Sequence, residues 1–147
     1  MFQAFYLLAV LSLKIYTEEM MCYCHSGRPY ANCCEPYVNR TSYPKLAVQL
    51  MRSRYTAFCL QQFDYLQQTS IEQMLINEPV DWVKLSIIKT NNGEVNDLVG
   101  TVEFKAFYLD EGSLFVLHED SHFVKKEGRW FYAFGHHSIA PIKAEQI

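Results

Sequence analysis

Four of the chain's five cysteines fall within thirteen residues, as Cys22, Cys24, Cys33 and Cys34. Thiolates are soft ligands, and four of them close a tetrahedral zinc shell at a Zn–S distance of roughly 2.3 Å. Cys-x-Cys, eight residues, then Cys-Cys gives two pairs that a single loop can bring together. Ser26-Gly27 supplies a tight turn between the pairs, letting backbone N–H groups face sulfur, and Tyr30 can cover one side. His25 stands too close to Cys24 to be the preferred ligand. Disulfides and reduced thiols are the competing reading, but adjacent Cys33 and Cys34 cannot easily pair with each other. A catalytic thiol would leave no obvious nucleophile and base pair. The expectation is one zinc ion on these four residues, with Cys59 left in a helix as a small buried hydrophobe.

Other residues able to do chemistry are scattered. Arg54 lies in the middle of an apolar helix face. A buried guanidinium must find a carboxylate or several carbonyls, so Glu103 or Glu119 is the expected partner, and a structural ion pair is favoured over an anion pocket. Arg52 points the opposite way, to water. Alternation sends His118, Asp120 and His122 to one face of a strand and Glu119, Ser121 and Phe123 to the other. The first set is read as a solvated strand face rather than a metal site. Trp82, Trp130 and Tyr132 read as core, though aromatics inside a sheet-and-helix cone can also line a ligand cavity. The candidate pocket residues are therefore Arg54, Tyr55, Trp82, Glu103, His118, Glu119, Trp130 and Tyr132.

These residues need elements to hold them. The chain has 147 residues, half of them apolar and 15% aromatic, enough to fill a core. Residues 22–44 show neither helical nor strand period and read as a loop-rich module. Ser42 and Pro44 mark a helix start, and Lys45 to Leu60 is helical. Leu46, Ala47, Leu50, Met51, Tyr55, Ala57 and Phe58 share one broad face. Gln61–Gln68 reads as a second short helix and Ser70–Leu75 as a third. From Asp81 the period changes. Residues 82–89, 98–109, 114–126 and 129–134 are rich in Val, Ile, Phe and Tyr, separated by Asn91-Asn92-Gly93, Asp110-Glu111-Gly112 and Glu127-Gly128. Helices first and a strand meander afterwards make an α+β domain, with helices packed on a curved, cone-like antiparallel sheet. The larger domain has a core of its own, so it is expected to stay folded when the metal is removed.

CYCHSGRPYANCC (22–34) resembles the SEC-C motif, first described at the tail of the translocation ATPase SecA. LMRSRYTAF (50–58), VEFKAFY (102–108), LHEDSHF (117–123) and EGRWFY (127–132) resemble the YchJ family. In that family an N-terminal SEC-C motif precedes a nuclear-transport-factor-2-like domain. The match covers Met21 to about Gly135. Two departures are His25, where the motif usually has Gly, and the lack of the second, C-terminal SEC-C motif that many relatives carry. The resemblance implies a zinc module over 21–44, a nuclear-transport-factor-2-like domain over 45–147, and no particular reaction. Residues 1–20 fall outside it. Their apolar run has no Lys or Arg before it and no small-x-small cleavage site after it, so they read as an accessory segment or a mis-assigned start.

Composition excludes some classes. With 13 Lys+Arg against 16 Asp+Glu, the net charge is -3, which offers no broad grip on nucleic acid. No run of 18 apolar residues encodes a standard membrane span. Without an export signal, a cytoplasmic location is expected. The expected function is a zinc-binding adaptor whose SEC-C module docks a macromolecular partner, a protein. The alternative is a small-molecule enzyme of isomerase or dehydratase type, using Tyr55, Glu103, Glu119 or His118 inside the cone. A cavity with facing titratable groups would favour the enzyme, and a filled aromatic core the adaptor. The sequence does not fix the oligomeric state.

Overall fold

The computed structural model describes residues 20–75 and 78–147. The leader expectation for residues 1–20 therefore lies almost wholly outside the described residues. Helices come first and a four-stranded antiparallel meander follows, in the order β1-β2-β3-β4. The helices are α1 (Glu35–Val38), α2 (Ala47–Cys59) and α3 (Phe63–Gln68), and the strands are β1 (Asp81–Asn92), β2 (Val99–Asp110), β3 (Ser113–Lys126) and β4 (Arg129–Pro141). Among the described residues no helix is long and apolar enough to cross a membrane.

The two later hairpins turn as their sequences dictate. Glu111-Gly112 and Glu127-Gly128 all have positive φ, the type I′ signature that matches strand twist. The β1–β2 connection is longer. Asn92 and Gly93 end β1 with positive φ, and residues 94–98 complete the loop. Gly93 serves a second purpose, because a Cβ there would come within 2.7 Å of the Ala47 Cβ. Its bare backbone lets α2 begin against the sheet, with the Ala47 N–H donating to the Gly93 carbonyl at 2.9 Å.

That contact corrects the expected helix start. Neither Ser42 nor Pro44 opens α2; Leu46 is its extended N-cap residue. The Gln49 Oε1 reaches back to accept from the Lys45 and Leu46 N–H groups at 3.0 and 3.1 Å. The expected third helix over Ser70–Leu75 is also absent. Ser70 instead forms a parallel bridge to Tyr132, and the Ile71 N–H donates to the Tyr132 carbonyl at 2.9 Å. This segment is stitched to the sheet, which withdraws its backbone groups from helical use.

Helix α2 is buried nearly all round. Leu50 and Ala57 face the core, but Ser53 and Thr56 are also fully covered. The Ser53 hydroxyl bonds the Tyr65 hydroxyl of α3 at 2.6 Å, and Thr56 Oγ1 lies 3.7 Å from Cys22 Sγ. Arg52 does not point to water: its Nη1 donates to the Cys24 carbonyl at 2.8 Å. The Cys-rich segment covers the side of α2 that the apolar pattern left for solvent. Cys22, Cys24, Cys34 and Val38 consequently join Leu50, Leu66, Val102 and Phe123 in one continuous core.

Candidate functional site

Two pairs of cysteines meet beside the Arg52–Thr56 stretch of α2. The first pair rides on a narrow ribbon. The Cys22 N–H donates to the Arg28 carbonyl at 2.9 Å, the Tyr30 N–H to the Met20 carbonyl at 2.8 Å, and Met21 bridges Pro29. Residues two apart on an extended chain face the same way, which aims Cys22 and Cys24 together. The ribbon reverses at residues 25–27, where His25 has φ 60° and Gly27 has φ 81°. The left-handed backbone at His25 is the physical reason a glycine suits that position. The second pair follows the short 3-10 turn Tyr30–Asn32 and opens α1, with Cys34 as its N-cap residue.

The four Sγ atoms all lie within 4.8 Å of one another. Cys24 and Cys33 are 3.6 Å apart and Cys33 and Cys34 3.9 Å. A disulfide requires about 2.05 Å, and all five cysteines are free thiols. Cys22, Cys24 and Cys34 are buried, while Cys33 is half-buried with the Ser26 hydroxyl 3.2 Å from its sulfur. Hydrogen bonds from Cys22 and Cys34 hold the Cys24 thiol well below its ordinary range, and the contacts with Cys22 and Cys24 push Cys34 well above it. A bound cation would remove this mutual opposition by stabilising every thiolate at once. The cluster can therefore hold a metal ion. Cys59, at the end of α2, stands apart with its thiol pushed up to about 11 by burial.

A second feature lies between α2 and the concave face of the sheet. It is a cavity of about 320 Å³, lined by Arg54, Tyr55, Trp82, Glu119, Tyr132 and a mainly apolar remainder that includes Met51, Met74, Phe104 and Phe123. Arg54 is only 6% exposed. Its expected carboxylate partner is not there. The Nη1 donates instead to the Leu66 carbonyl at 2.9 Å, Thr69 Oγ1 at 2.7 Å and Ser70 Oγ at 3.0 Å, and the guanidinium sits 4.7 Å over the Tyr132 ring. The last turn of α3 and the connection after it thus supply the acceptors that a strand carboxylate was expected to supply. Burial lowers the Arg54 pKa to about 10, with Tyr132, Tyr65 and Glu119 acting in the opposite sense.

Glu119 does reach the cavity. Its Oε2 accepts from the Ser121 hydroxyl and, at 3.3 Å, from the Tyr132 hydroxyl. Gly135 makes room for this pair, since a Cβ there would lie 2.5 Å from Glu119 Oε2 and 2.7 Å from the Tyr132 hydroxyl. Ser121 and Gly135 are cross-strand partners. Sequence reasoning gave Ser121 the correct face but no role, and it missed Gly135, Thr69 and Ser70. Only the unusual glycine inside a strand hinted at a close approach.

Three candidate pocket residues lie elsewhere. Glu103 and His118 face each other at 3.7 Å on the outer surface of the sheet, because strand alternation turns them away from Phe104 and Glu119. Asp120 and His122 share that surface, 3.9 Å apart. Trp130 is buried, but its Nε1 donates to the Lys45 carbonyl at 3.0 Å, and it lines the cleft beside Tyr43 rather than the cavity.

The comparisons with known proteins agree with this architecture. The family model described as "YchJ, middle NTF2-like domain" matches residues 46–135. A UPF0225 protein of Shewanella sp. (strain MR-4) is 35% identical over 141 residues, covering 86% of each chain. A UPF0225 protein of Haemophilus influenzae (strain PittEE) is 40% identical, covering 76% of this chain and 74% of that one. The solution structure of a SEC-C motif containing protein from Rhodopseudomonas palustris superposes with a TM-score of 0.68 at 31% identity, covering 80% of this chain and 98% of the other. A SEC-C motif containing protein from Psychrobacter arcticus shares the fold, at TM-score 0.65 and 24% identity. With the matched domain spanning α2 to β4 and the paired cysteines set directly before it, the chain belongs to the YchJ (UPF0225) family.

Proposed function

We propose that Cys22, Cys24, Cys33 and Cys34 hold one zinc ion, and that the module built around it is a docking face for a protein partner. The sulfur geometry carries this reading. A regular tetrahedron of thiolates at a Zn–S distance of roughly 2.3 Å has edges of about 3.8 Å. The 3.6 and 3.9 Å separations of Cys33 from Cys24 and Cys34 bracket that edge. The soft, all-sulfur, largely buried donor set suits a closed structural site, with no position left open for a substrate. Second contacts support it: the Ser26 hydroxyl and Thr56 Oγ1 lie beside sulfurs, and Arg52 fixes the Cys24 carbonyl.

The docking role rests on what the zinc ribbon leaves outside. Met20 and Met21 are each 54% exposed and Tyr23 is 36% exposed. Beside them an open groove runs between the ribbon and the start of β1, lined by Met21, Tyr23, His25, Trp82 and Val83. Apolar side chains on a metal-fixed ribbon form a rigid anchor patch of the kind that protein interfaces use. The test is capture by the intact protein beside Tyr23→Asp and Cys24→Ser variants. A specific partner lost with both variants supports the reading. A partner retained by both, or one that contacts only the outer sheet surface in cross-linking, contradicts it.

A further inference from the structure

We infer that the cavity between α2 and the sheet is a binding site for a small, flat, mostly apolar molecule that is uncharged and carries a carbonyl beside an N–H or O–H. This site is separate from the zinc module, and the inference does not depend on the metal.

Two opposite charges in this cavity do not meet. Arg54 and Glu119 both line the cavity and are both largely buried, the Glu119 side chain being 13% exposed. Among the described residues no ion pair joins them. The hydrogen bonds of Arg54 all leave from Nη1, while Nε and Nη2 donate to no described residue. Glu119 is held in place rather than neutralised, by the Ser121 and Tyr132 hydroxyls on its Oε2. Its Oε1 has only the His137 Nδ1 nearby, at 3.8 Å, beyond hydrogen-bond reach. Spare guanidinium N–H groups and an under-used carboxylate oxygen therefore line one partly open cavity.

Among the described residues no fully buried side-chain nitrogen or oxygen lacks a partner, so these spare groups are open to the cavity space, where an occupant can serve both. A carbonyl would accept from Arg54, and an adjacent N–H or O–H would donate to Glu119. A carboxylate would gain at Arg54 but meet Glu119 as a like charge, and a cation would meet the reverse. With one fixed charge of each sign, the site is matched to a neutral head. The rest of the wall sets the body of the ligand. Trp82, Phe104 and Phe123 with Met51 and Met74 offer aromatic faces and adaptable thioethers. The volume of about 320 Å³ lies at the small end of ligand sites, which run from roughly 300 to 1,000 Å³.

Three probes of one size separate the outcomes: carbostyril, a two-ring lactam; naphthoate, a two-ring carboxylate; and naphthalene, which has no polar head. Binding is read in the full-length zinc-loaded chain from the methyl NMR signals of Met51 and Met74. Carbostyril is expected to saturate and shift both signals. Naphthalene and naphthoate are expected to bind at least about tenfold more weakly, the scale of one hydrogen bond to a charged group. In Glu119→Gln the order is expected to change, with naphthoate gaining affinity and carbostyril losing about tenfold. Naphthalene binding as tightly as carbostyril would overturn the inference in favour of a plain apolar void. Preference of the parent protein for naphthoate would overturn it in favour of an anion site. Failure of all three probes to move either methionine would remove the site altogether. The comparison on the parent protein decides the matter even if the variant folds poorly.

Discussion

Arg54 carries a full charge into the interior, where its Nη1 is held by one carbonyl and two hydroxyls and its plane lies over an aromatic face. Replacing it with Ala removes the donor shared by the Leu66 carbonyl and the Thr69 and Ser70 hydroxyls, which keep only their bonds to one another and to the Tyr65 carbonyl, and leaves Glu119 with no cation across the cavity. The expected cost is about 3 kcal/mol, read as a shift of the urea midpoint. Arg54→Lys is expected to recover only part of this, since an ammonium cannot lie flat on Tyr132 while reaching the same acceptors. Arg52 was assigned to water by its helical phase, yet it clamps the Cys24 carbonyl. Arg52→Ala is therefore expected to cost about 1–2 kcal/mol and to speed zinc loss to a chelator.

Buried tyrosines give a pH dependence of known sign. Burial lifts the Tyr65 and Tyr132 hydroxyls to about 12, and it lifts Tyr55 as well. In the unfolded chain these groups ionise near pH 10. The folded state then binds more protons between pH 10 and 12, so the stability they contribute is intact below pH 10 and is lost as pH rises through 12. Burial acts on Arg54 in the opposite sense, since its folded pKa lies below its unfolded one. Three tyrosines against one arginine leave a net fall. Urea midpoints should drop between about pH 9 and about pH 11, accompanied by late tyrosinate absorbance in the folded protein. Unchanged midpoints would mean that these hydroxyls reach solvent.

Among the elements, the strands and their turns were the most legible. Their apolar and β-branched runs, broken by Glu-Gly and Asn-Gly pairs, are local signals that the tertiary fold leaves alone. Helix α2 was legible in existence and misread in its surroundings. Ser53, Thr56 and Arg52 look like a wet face until the cysteine ribbon and α3 cover them, and no period in a loop-rich segment announces that. The same limit hid the Arg54 acceptors, because Thr69 and Ser70 belong to a connection whose backbone is taken up by β4. Strand alternation did set Glu119 and His118 on opposite faces; placing Glu103 needed the register with β3 as well. The β1–β2 connection offers a clean test of element packing. Gly93→Ala adds a methyl against Ala47 at a backbone with φ 80°, whereas Gly112→Ala at φ 79° meets nothing within 4 Å. The first is expected to cost about 1–3 kcal/mol more than the second in equilibrium unfolding, because only it combines left-handed strain with a clash. Equal costs would show that α2 does not press on this loop.

For the whole molecule, zinc and fold are expected to act as one. The cysteines belong to the same continuous core as Leu50, Leu66 and Phe123, and the ribbon touches α2 through both Thr56 and the Arg52 clamp. Chelation is therefore expected to lower the melting temperature of the entire chain, not to release a loose module from an intact domain. The central claim is a closed four-sulfur zinc site. Zinc analysis of protein purified under reducing conditions, combined with X-ray absorption at the zinc edge, tests it most directly. One zinc per chain with four sulfur neighbours at roughly 2.3 Å is expected. A chain free of zinc with Cys22, Cys24, Cys33 and Cys34 oxidised in pairs, or a zinc ion bound through nitrogen and oxygen, would contradict it.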